Sequence, residues 1–212
     1  MSDWRGSGTS LWGGLMPEPD TSLYDSADWW GGEIGRNYES LCDRERYEEQ
    51  EEVLSNSLSQ LEWGTVLDVG CGFGRLIPVL ERINPDTVYT GLDVSESQLA
   101  AAKRHYPDHE YIHSPILTFE PGDRKWDLVV STEVLMHQTD NQIEKVVASL
   151  LRWSGHWVLS CDWTPLDGNP GNEWNRPHDY AALYGGGLVR SFPVGKIFPW
   201  SDQSVFLSSV RV

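Results

Sequence analysis

Apolar positions along this chain follow two rhythms that take turns. From Thr65 onward, short apolar runs alternate with stretches whose apolar residues recur every third or fourth position. The first rhythm marks strands, and the second marks the buried stripe of a helix. Strands are predicted at Thr65–Val69, Thr87–Leu92, Tyr111–His113, Trp126–Ser131 and His156–Ser160, with two more at Leu188–Lys196 and Ser204–Val210. A helix is predicted over Gly74–Ile83. A second opens at Ser95, with Gln98 in a capping-box pattern, and stops before Pro107. A third opens at Thr139 and carries the stripe Ile143, Val146, Val147, Leu150 and Leu151. Before the first strand, Glu39–Leu61 reads as a charged amphipathic helix with Leu41, Tyr47, Leu54, Leu58 and Leu61 near helical spacing. Asp179–Tyr184 reads as a short helix ended by Gly185-Gly186-Gly187. The first twenty or so residues are rich in Gly, Ser and Pro without a period and read as an irregular arm, and Trp29–Gly32 reads as a loop.

Strands alternating with helices predict an α/β fold: a doubly wound sheet with helices on both faces. Right-handed crossovers leave a ligand crevice at the carboxyl ends of the strands, where the strand order reverses. The last two predicted strands are separated by only about seven residues, too few for a crossover helix, so they pair antiparallel. The expected sheet is therefore mostly parallel, with one reversed strand near the C-terminus.

The chemistry concentrates where the first strand ends. Val66-Leu67-Asp68-Val69 runs into Gly70-Cys71-Gly72-Phe73-Gly74-Arg75, with a glycine at every second position. Such a loop turns tightly and lets a ligand approach the backbone, while the N-terminus of the following helix faces the same space. The second strand ends in Asp93, a carboxylate placed to accept both hydroxyls of a ribose. The dinucleotide fingerprint requires two residues between its second and third glycines, but only Phe73 lies between Gly72 and Gly74. That spacing disfavours a nicotinamide-dependent dehydrogenase.

Residues 66–93 resemble the class I S-adenosylmethionine-dependent methyltransferases, whose first motif reads acidic-x-Gly-x-Gly-x-Gly and whose second strand ends in an acidic residue. The resemblance continues at Trp126–His137 and is topological after residue 150. It implies a Rossmann-like seven-stranded sheet, with residues 39–212 as the methyltransferase domain and residues 1–38 as an arm or lid. S-adenosylmethionine is the implied cofactor. Gly70, Cys71, Gly72, Gly74 and Arg75 would surround its methionine and ribose, and Asp68 would approach its amino group. Asp93 would take the ribose and Val94 would edge the adenine. Arg36, in the arm, is a candidate for the cofactor carboxylate, against the alternative of a packed N-terminal segment. Relatives often carry an acidic residue after the third strand to read the adenine amino group. Here the segment is Ser114-Pro115-Ile116, so Ser114 and Ile116 inherit that contact.

After the fourth strand, Glu133-Val134-Leu135-Met136-His137 resembles an acidic-Val-Leu-x-His run of the family. Glu133 is expected to contact the cofactor end or hold the loop. His137 is either a general base or a structural histidine, since a neutral imidazole can take a proton from a hydroxyl or amine. Asp162, after the fifth strand, either orients substrate or caps its loop. His178, in Asn175-Arg176-Pro177-His178-Asp179-Tyr180, is either catalytic or a helix N-terminal residue. His105, His109 and His113 fall four apart, but Pro107 breaks the helix that would align them, so no metal is expected.

Composition narrows the substrate. The net charge is −16, and residues 1–62 hold 14 acidic against 4 basic side chains. With no Lys/Arg cluster, the surface repels a phosphate backbone, which counts against nucleic acid. The excess acid reads as solubility or adaptation to salt, and the lesser reading is a protein partner on the acidic, Trp-rich N-terminus. Of the eleven tryptophans, Trp163 and Trp174 are expected to flank the site mouth. Cys42, Cys71 and Cys161 read as reduced thiols. No signal peptide or membrane-length apolar run is evident, so a cytoplasmic location is expected. The expected activity is methyl transfer to a small molecule, a sugar or metabolite hydroxyl before an amine. The rival is a non-catalytic domain of the same fold serving as an interaction module.

Overall fold

The computed structural model describes residues 26–32, 35–36, 38–39, 42, 47–164, 175–198 and 201–210. Seven strands form one sheet: β1 Thr65–Val69, β2 Val88–Asp93, β3 Glu110–His113, β4 Trp126–Thr132, β5 Ser154–Trp163, β6 Leu188–Phe198 and β7 Ser201–Ser209. Their order is β3-β2-β1-β4-β5-β7-β6. The β1–β2, β1–β4, β2–β3 and β4–β5 pairs are parallel, and β7 runs antiparallel to both β5 and β6. The order reverses between β1 and β4, so the crevice expected of such a sheet opens above those two strands.

Among the described residues, helices α1 Ser26–Gly31, α2 Glu48–Leu58, α3 Ile77–Ile83, α4 Glu96–His105, α5 Ile143–Trp153 and α6 Tyr180–Tyr184 accompany the sheet. Alternation along each strand sends neighbouring residues to opposite faces. Val66, Leu128, Val130, Leu159 and Leu207 pack with Leu54 and Leu58 of α2, Ile77 and Leu80 of α3 and Leu99 of α4. Leu67, Val69, Val129, Val158 and Phe206 pack with the α5 stripe and with Tyr180 and Tyr184 of α6. Both layers are closed by buried side chains, as a sheet covered on two faces requires.

Several boundaries differ from the sequence reading, each for a local reason. Trp29–Gly32 is not a loop throughout: Ser26–Gly31 is helical, and its glycines fall at the C-terminal end, where they cost least. The helix after the glycine loop is regular only from Ile77, because the chain needs a turn after Gly74 and Pro78 sits in the first helical turn. The long helix before β1 is described as Glu48–Leu58, and Leu41 lies outside the described residues. β5 extends past Ser160 to Trp163, so Asp162 lies within the last residues of the strand. β7 begins at Ser201, which brings Gln203 into the ladder opposite Trp163. The irregular arm, Trp174 and the final residues 211–212 also lie outside the described residues.

Candidate active site

The glycine loop is shaped by φ angles that side chains resist. Gly70, Gly72 and Gly74 have φ of 73°, 54° and 86°, the left-handed region that glycine enters without a Cβ clash. A Cβ at Gly70 would overlap the Val134 side chain, and one at Gly72 would lie 2.7 Å from Gln98 Oε1. The loop is docked on the end of β2, where the Gly70 and Cys71 N–H groups both donate to the Leu92 carbonyl, at 2.7 and 3.2 Å. Cys71 is buried between the loop and Gly91, where only a small side chain fits.

Asp93 ties this loop to the start of α4. Its Oδ2 accepts the Gly72 N–H at 2.8 Å, and its Oδ1 accepts the Ser95 N–H at 2.8 Å. An ionised carboxylate is an acceptor only, with about four lone-pair sites over its two oxygens. Burial raises the Asp93 pKa, opposed by the Ser95, Gly72 and Val94 amides and by the nearby His113. Asp68 lies deeper, 1% exposed, and accepts the Tyr89 hydroxyl at 2.8 Å. Burial pushes its carboxyl up to about 7.

Val94, Ser114, Pro115 and Ile116 line up beside Asp93 through the β2–β3 register, in which Asp93 faces His113. His113 Nε2 donates to the Val94 carbonyl at 2.9 Å, and the Ser114 N–H donates to the Asp93 carbonyl at 3.0 Å. The described part of the N-terminal arm lies across this row. A Cβ at Gly31 would contact the Val94 carbonyl, and one at Gly35 would crowd Ser95 Oγ. Trp30 sits between Tyr38, 5.2 Å between ring centroids, and His137 at 5.1 Å. The arm thus reaches from the tip of β2 to the turn after β4. Arg36 is exposed on it.

That turn is the second half of the site. Glu133 adopts φ 59°, a left-handed conformation that costs a non-glycine residue about 1 kcal/mol or more. Its N–H donates to the Cys161 carbonyl at 2.8 Å. Its carboxylate accepts the Tyr47 hydroxyl at 3.1 Å and Gln203 Nε2 at 2.7 Å. Gln203 in turn accepts Gln50 Nε2 at 2.6 Å, and Gln50 accepts Arg75 Nη2 at 2.7 Å. The Arg75 guanidinium stacks 3.9 Å over the Tyr47 ring and lies 3.8 Å from Glu51. Burial opposes its charge, but Glu133 and the phenols of Tyr47 and Tyr38 outweigh that and raise its pKa.

Asp162 is fully buried beneath the turn. Its Oδ1 accepts three successive backbone N–H groups, from Val134, Leu135 and Met136, at 3.0, 2.9 and 3.2 Å. Burial raises its pKa well above the usual carboxylate range. His137 closes the short 3-10 turn Leu135–His137, half-buried against Trp30. The segment before α6 crosses the same turn. The Arg176 N–H donates to the Met136 carbonyl at 2.8 Å, and His178 Nε2 donates to the Gln138 carbonyl at 3.1 Å. The His178 ring is 6% exposed, and burial lowers its pKa.

The predicted cofactor residues thus gather at the carboxyl ends of β1, β2 and β4, with the exception of exposed Arg36. His137, Asp162 and His178 gather around the turn after β4. Trp163 is buried at 3% exposure and does not flank a mouth. Sequence reading missed Gln50, Gln203 and the polar role of Tyr47, which carry the Arg75–Glu133 connection. Tyr47 was counted only as a stripe residue, and Gln203 fell before the predicted start of its strand. His105, His109 and His113 point to Glu39, Glu81 and the Val94 carbonyl respectively. No group among the described residues is arranged to hold a metal ion.

A sheet of this order, a left-handed glycine loop after β1 and an acidic tip on β2 make up the fold of the class I methyltransferases. Residues 66–154 match the methyltransferase domain family. Over 123 residues the chain is 30% identical to the trans-aconitate 2-methyltransferase of Variovorax paradoxus, covering 57% of this chain and 46% of that protein. Over 109 residues it is 34% identical to the ubiquinone biosynthesis O-methyltransferase of Bradyrhizobium diazoefficiens, covering 49% of this chain and 42% of that protein. The chain therefore spans less than half the length of these curated relatives. Among solved structures, the magnesium protoporphyrin IX methyltransferase of Synechocystis with bound S-adenosylmethionine superposes with a TM-score of 0.70 at 15% identity, covering 90% of this chain and 99% of that one. The N-methyltransferase NodS of Bradyrhizobium japonicum with S-adenosylhomocysteine superposes with a TM-score of 0.67 at 17% identity, covering 82% and 91%. These two likenesses concern the fold.

Proposed function

We propose that this chain transfers the methyl group of S-adenosylmethionine to a hydroxyl oxygen of a small molecule, such as a sugar or another metabolite. The observation that carries this reading is the Asp93 carboxylate at the tip of β2, which ties the glycine loop at Gly72 to the start of α4 at Ser95. It sits beside a cradle that a Cβ would fill. In this reading Asp93 takes the ribose hydroxyls and the loop Gly70-Cys71-Gly72 takes the methionine moiety. Asp68 faces the amino group, and Arg75 and Arg36 are the cations available to the carboxylate. Val94 and Ile116 flank the adenine and Ser114 takes its amino group. Glu133 holds the turn at the cofactor's methyl end.

S-adenosylmethionine supplies an electrophilic methyl carbon, so the chain's own task is to orient an acceptor, exclude water and receive a proton. Trp30 lies over His137 and narrows access to it from the arm side. His137 is assigned as the base that takes the acceptor proton. A hydroxyl acceptor is supported by the O-methyltransferase named among the relatives. A small, uncharged acceptor is supported by the net charge of −16 and the absence of a Lys/Arg cluster.

The test is a screen of metabolite pools with methyl-labelled S-adenosylmethionine. The expected outcome is label in a small neutral product, with release of S-adenosylhomocysteine. Efficient labelling of DNA or RNA oligonucleotides would overturn the acceptor assignment. Tight cofactor binding with silence across all acceptors would leave the interaction-module reading in its place.

A further inference from the structure

Three groups that could carry protons, His137, Asp162 and His178, meet around one turn. His137 is the half-buried one, set against Trp30. Asp162 Oδ1 and His178 Nε2 are bonded to the backbone of the turn, while Asp162 Oδ2 is buried without a hydrogen-bond partner and His178 Nδ1 lies 3.8 Å from the Asp140 carboxylate. Three consecutive amides converge on Asp162 Oδ1 within 3.2 Å, which fixes the Val134–Met136 backbone as an anion fixes a nest. His178 donates through Nε2 to the Gln138 carbonyl, so the last residue of the turn is held from the other side. The Arg176 N–H adds a second bond between the His178 segment and the turn, at Met136. These bonds offset a turn that opens with a left-handed Glu133, a conformation that persists only where its surroundings enforce it. Val134 also rests directly on Gly70, so displacement of the turn would disturb the glycine loop.

We propose that Asp162 and His178 are positioning residues that hold the 134–138 turn from below and from the side, fixing His137 above the glycine loop, and that neither transfers a proton. This rests on the assignment of His137 as base. The chemistry of each hold makes a direct distinction available. The side-chain oxygen of asparagine can accept the three amides as Asp162 Oδ1 does, but asparagine is no base. A glutamine amide N–H can reach a carbonyl as His178 Nε2–H does, but glutamine cannot take a proton.

The experiment compares Asp162→Asn with Asp162→Ala, and His178→Gln with His178→Ala, in the full chain. The first readout is amide hydrogen exchange, which needs no acceptor. The alanine variants should speed exchange at Val134, Leu135 and Met136 or at the Gln138 segment by roughly tenfold or more, while Asn and Gln stay near the parent protein. The second readout is imidazole nitrogen NMR, in which His178 should keep its Nε2–H tautomer from about pH 5.5 to 8, a range that spans the ordinary imidazole pKa. Once an acceptor is in hand, both alanine variants should lose roughly tenfold or more in kcat, with Asn and Gln within about threefold, as expected for positioning rather than proton transfer.

Asn and Gln falling as far as Ala, with unchanged exchange and a pH profile that loses a limb, would overturn the proposal. So would titration of His178 across that range. If His137→Ala keeps full turnover, the base assignment fails, while the exchange and NMR readouts still decide the positioning of the turn.

Discussion

The two halves of the crevice are built by opposite means. On the β1–β2 side, the site is shaped by what the chain omits: Gly70, Gly72 and Gly74 adopt left-handed φ, and backbone amides converge on Asp93. Most partners there lie within one βαβ unit. On the β4–β5 side, the site is shaped by side chains from distant segments. Tyr47 and Gln203 hold Glu133, Asp162 holds residues 134–136, and His178 holds Gln138. The first half should therefore be intolerant of added atoms, and the second intolerant of lost hydrogen bonds.

Substitution of the proposed base should separate the halves most sharply. His137→Ala should lower kcat by at least tenfold, against the roughly 10²–10⁴-fold typical of general-base help. Titration calorimetry should find cofactor affinity nearly unchanged, because the β1–β2 side is untouched. A parallel loss of cofactor affinity would show that the halves are coupled through Val134.

An added side chain tests the first half. Gly70→Val introduces both a disfavoured φ and an overlap with Val134. It should cost about 2–5 kcal/mol of unfolding free energy, from left-handed strain and overpacking together, as read by denaturant melts. A mild effect there would mean that the turn after β4 moves freely, contrary to the tight packing described.

The buried carboxyl of Asp68 gives the first half a pH signature. Its folded pKa of about 7 lies above the unfolded carboxylate value, so the folded state holds the proton more tightly. Its destabilising contribution is absent below the unfolded pKa and grows as pH rises through the interval. It levels off above the folded pKa. The ligand-free protein should lose stability between roughly pH 4 and 7, at up to about 1.4 kcal/mol per unit from this group. Asp68→Asn should flatten that slope in melts at matched ionic strength, and an unchanged slope would remove Asp68 as its source.

Asp93→Ala should weaken S-adenosylmethionine binding by about 1–3 kcal/mol, the range for hydrogen bonds to a charged group. Calorimetry with unchanged affinity would take Asp93 out of the binding site. The smallest effect belongs to the arm that spans both halves. Trp30→Ala removes ring contacts to Tyr38 and His137, and should cost about 0.5–1.5 kcal/mol in stability. If the arm covers the crevice in solution, faster cofactor dissociation in stopped flow should accompany that loss.

The same contrast explains how far the sequence could be read. Asp68, the alternating glycines and Asp93 announce their geometry by spacing alone, because each acts on backbone only a few positions away or one strand over. The register of β2 on β1, with Asp68 facing Gly91, then brings the acidic strand tip beside the loop. For Asp162 the sequence left two roles open, because its partners lie 26–28 residues upstream. Gln203 carried no signal at all: it meets Gln50 only after α2 packs on the far end of the sheet, 153 positions away. The helical start at Ser26–Gly31 escaped notice because glycines after a tryptophan pair resemble a loop until their place at a helix end is seen.

The sequence by itself determined the class of fold, the reversal of one late strand and the glycine loop beside an acidic strand tip. Those follow from local rules: periodicity sets elements, short connections force antiparallel pairing, and glycine permits left-handed turns. Only the tertiary structure decided which polar side chains face a ligand and which hold the frame. A carboxylate or imidazole has the same local signature in either role, and the distinction is made by which backbone groups arrive beside it when distant strands pair. For Glu133, Asp162 and His178 those groups came from distant segments, and His137 is set against Trp30 at the end of the turn they hold.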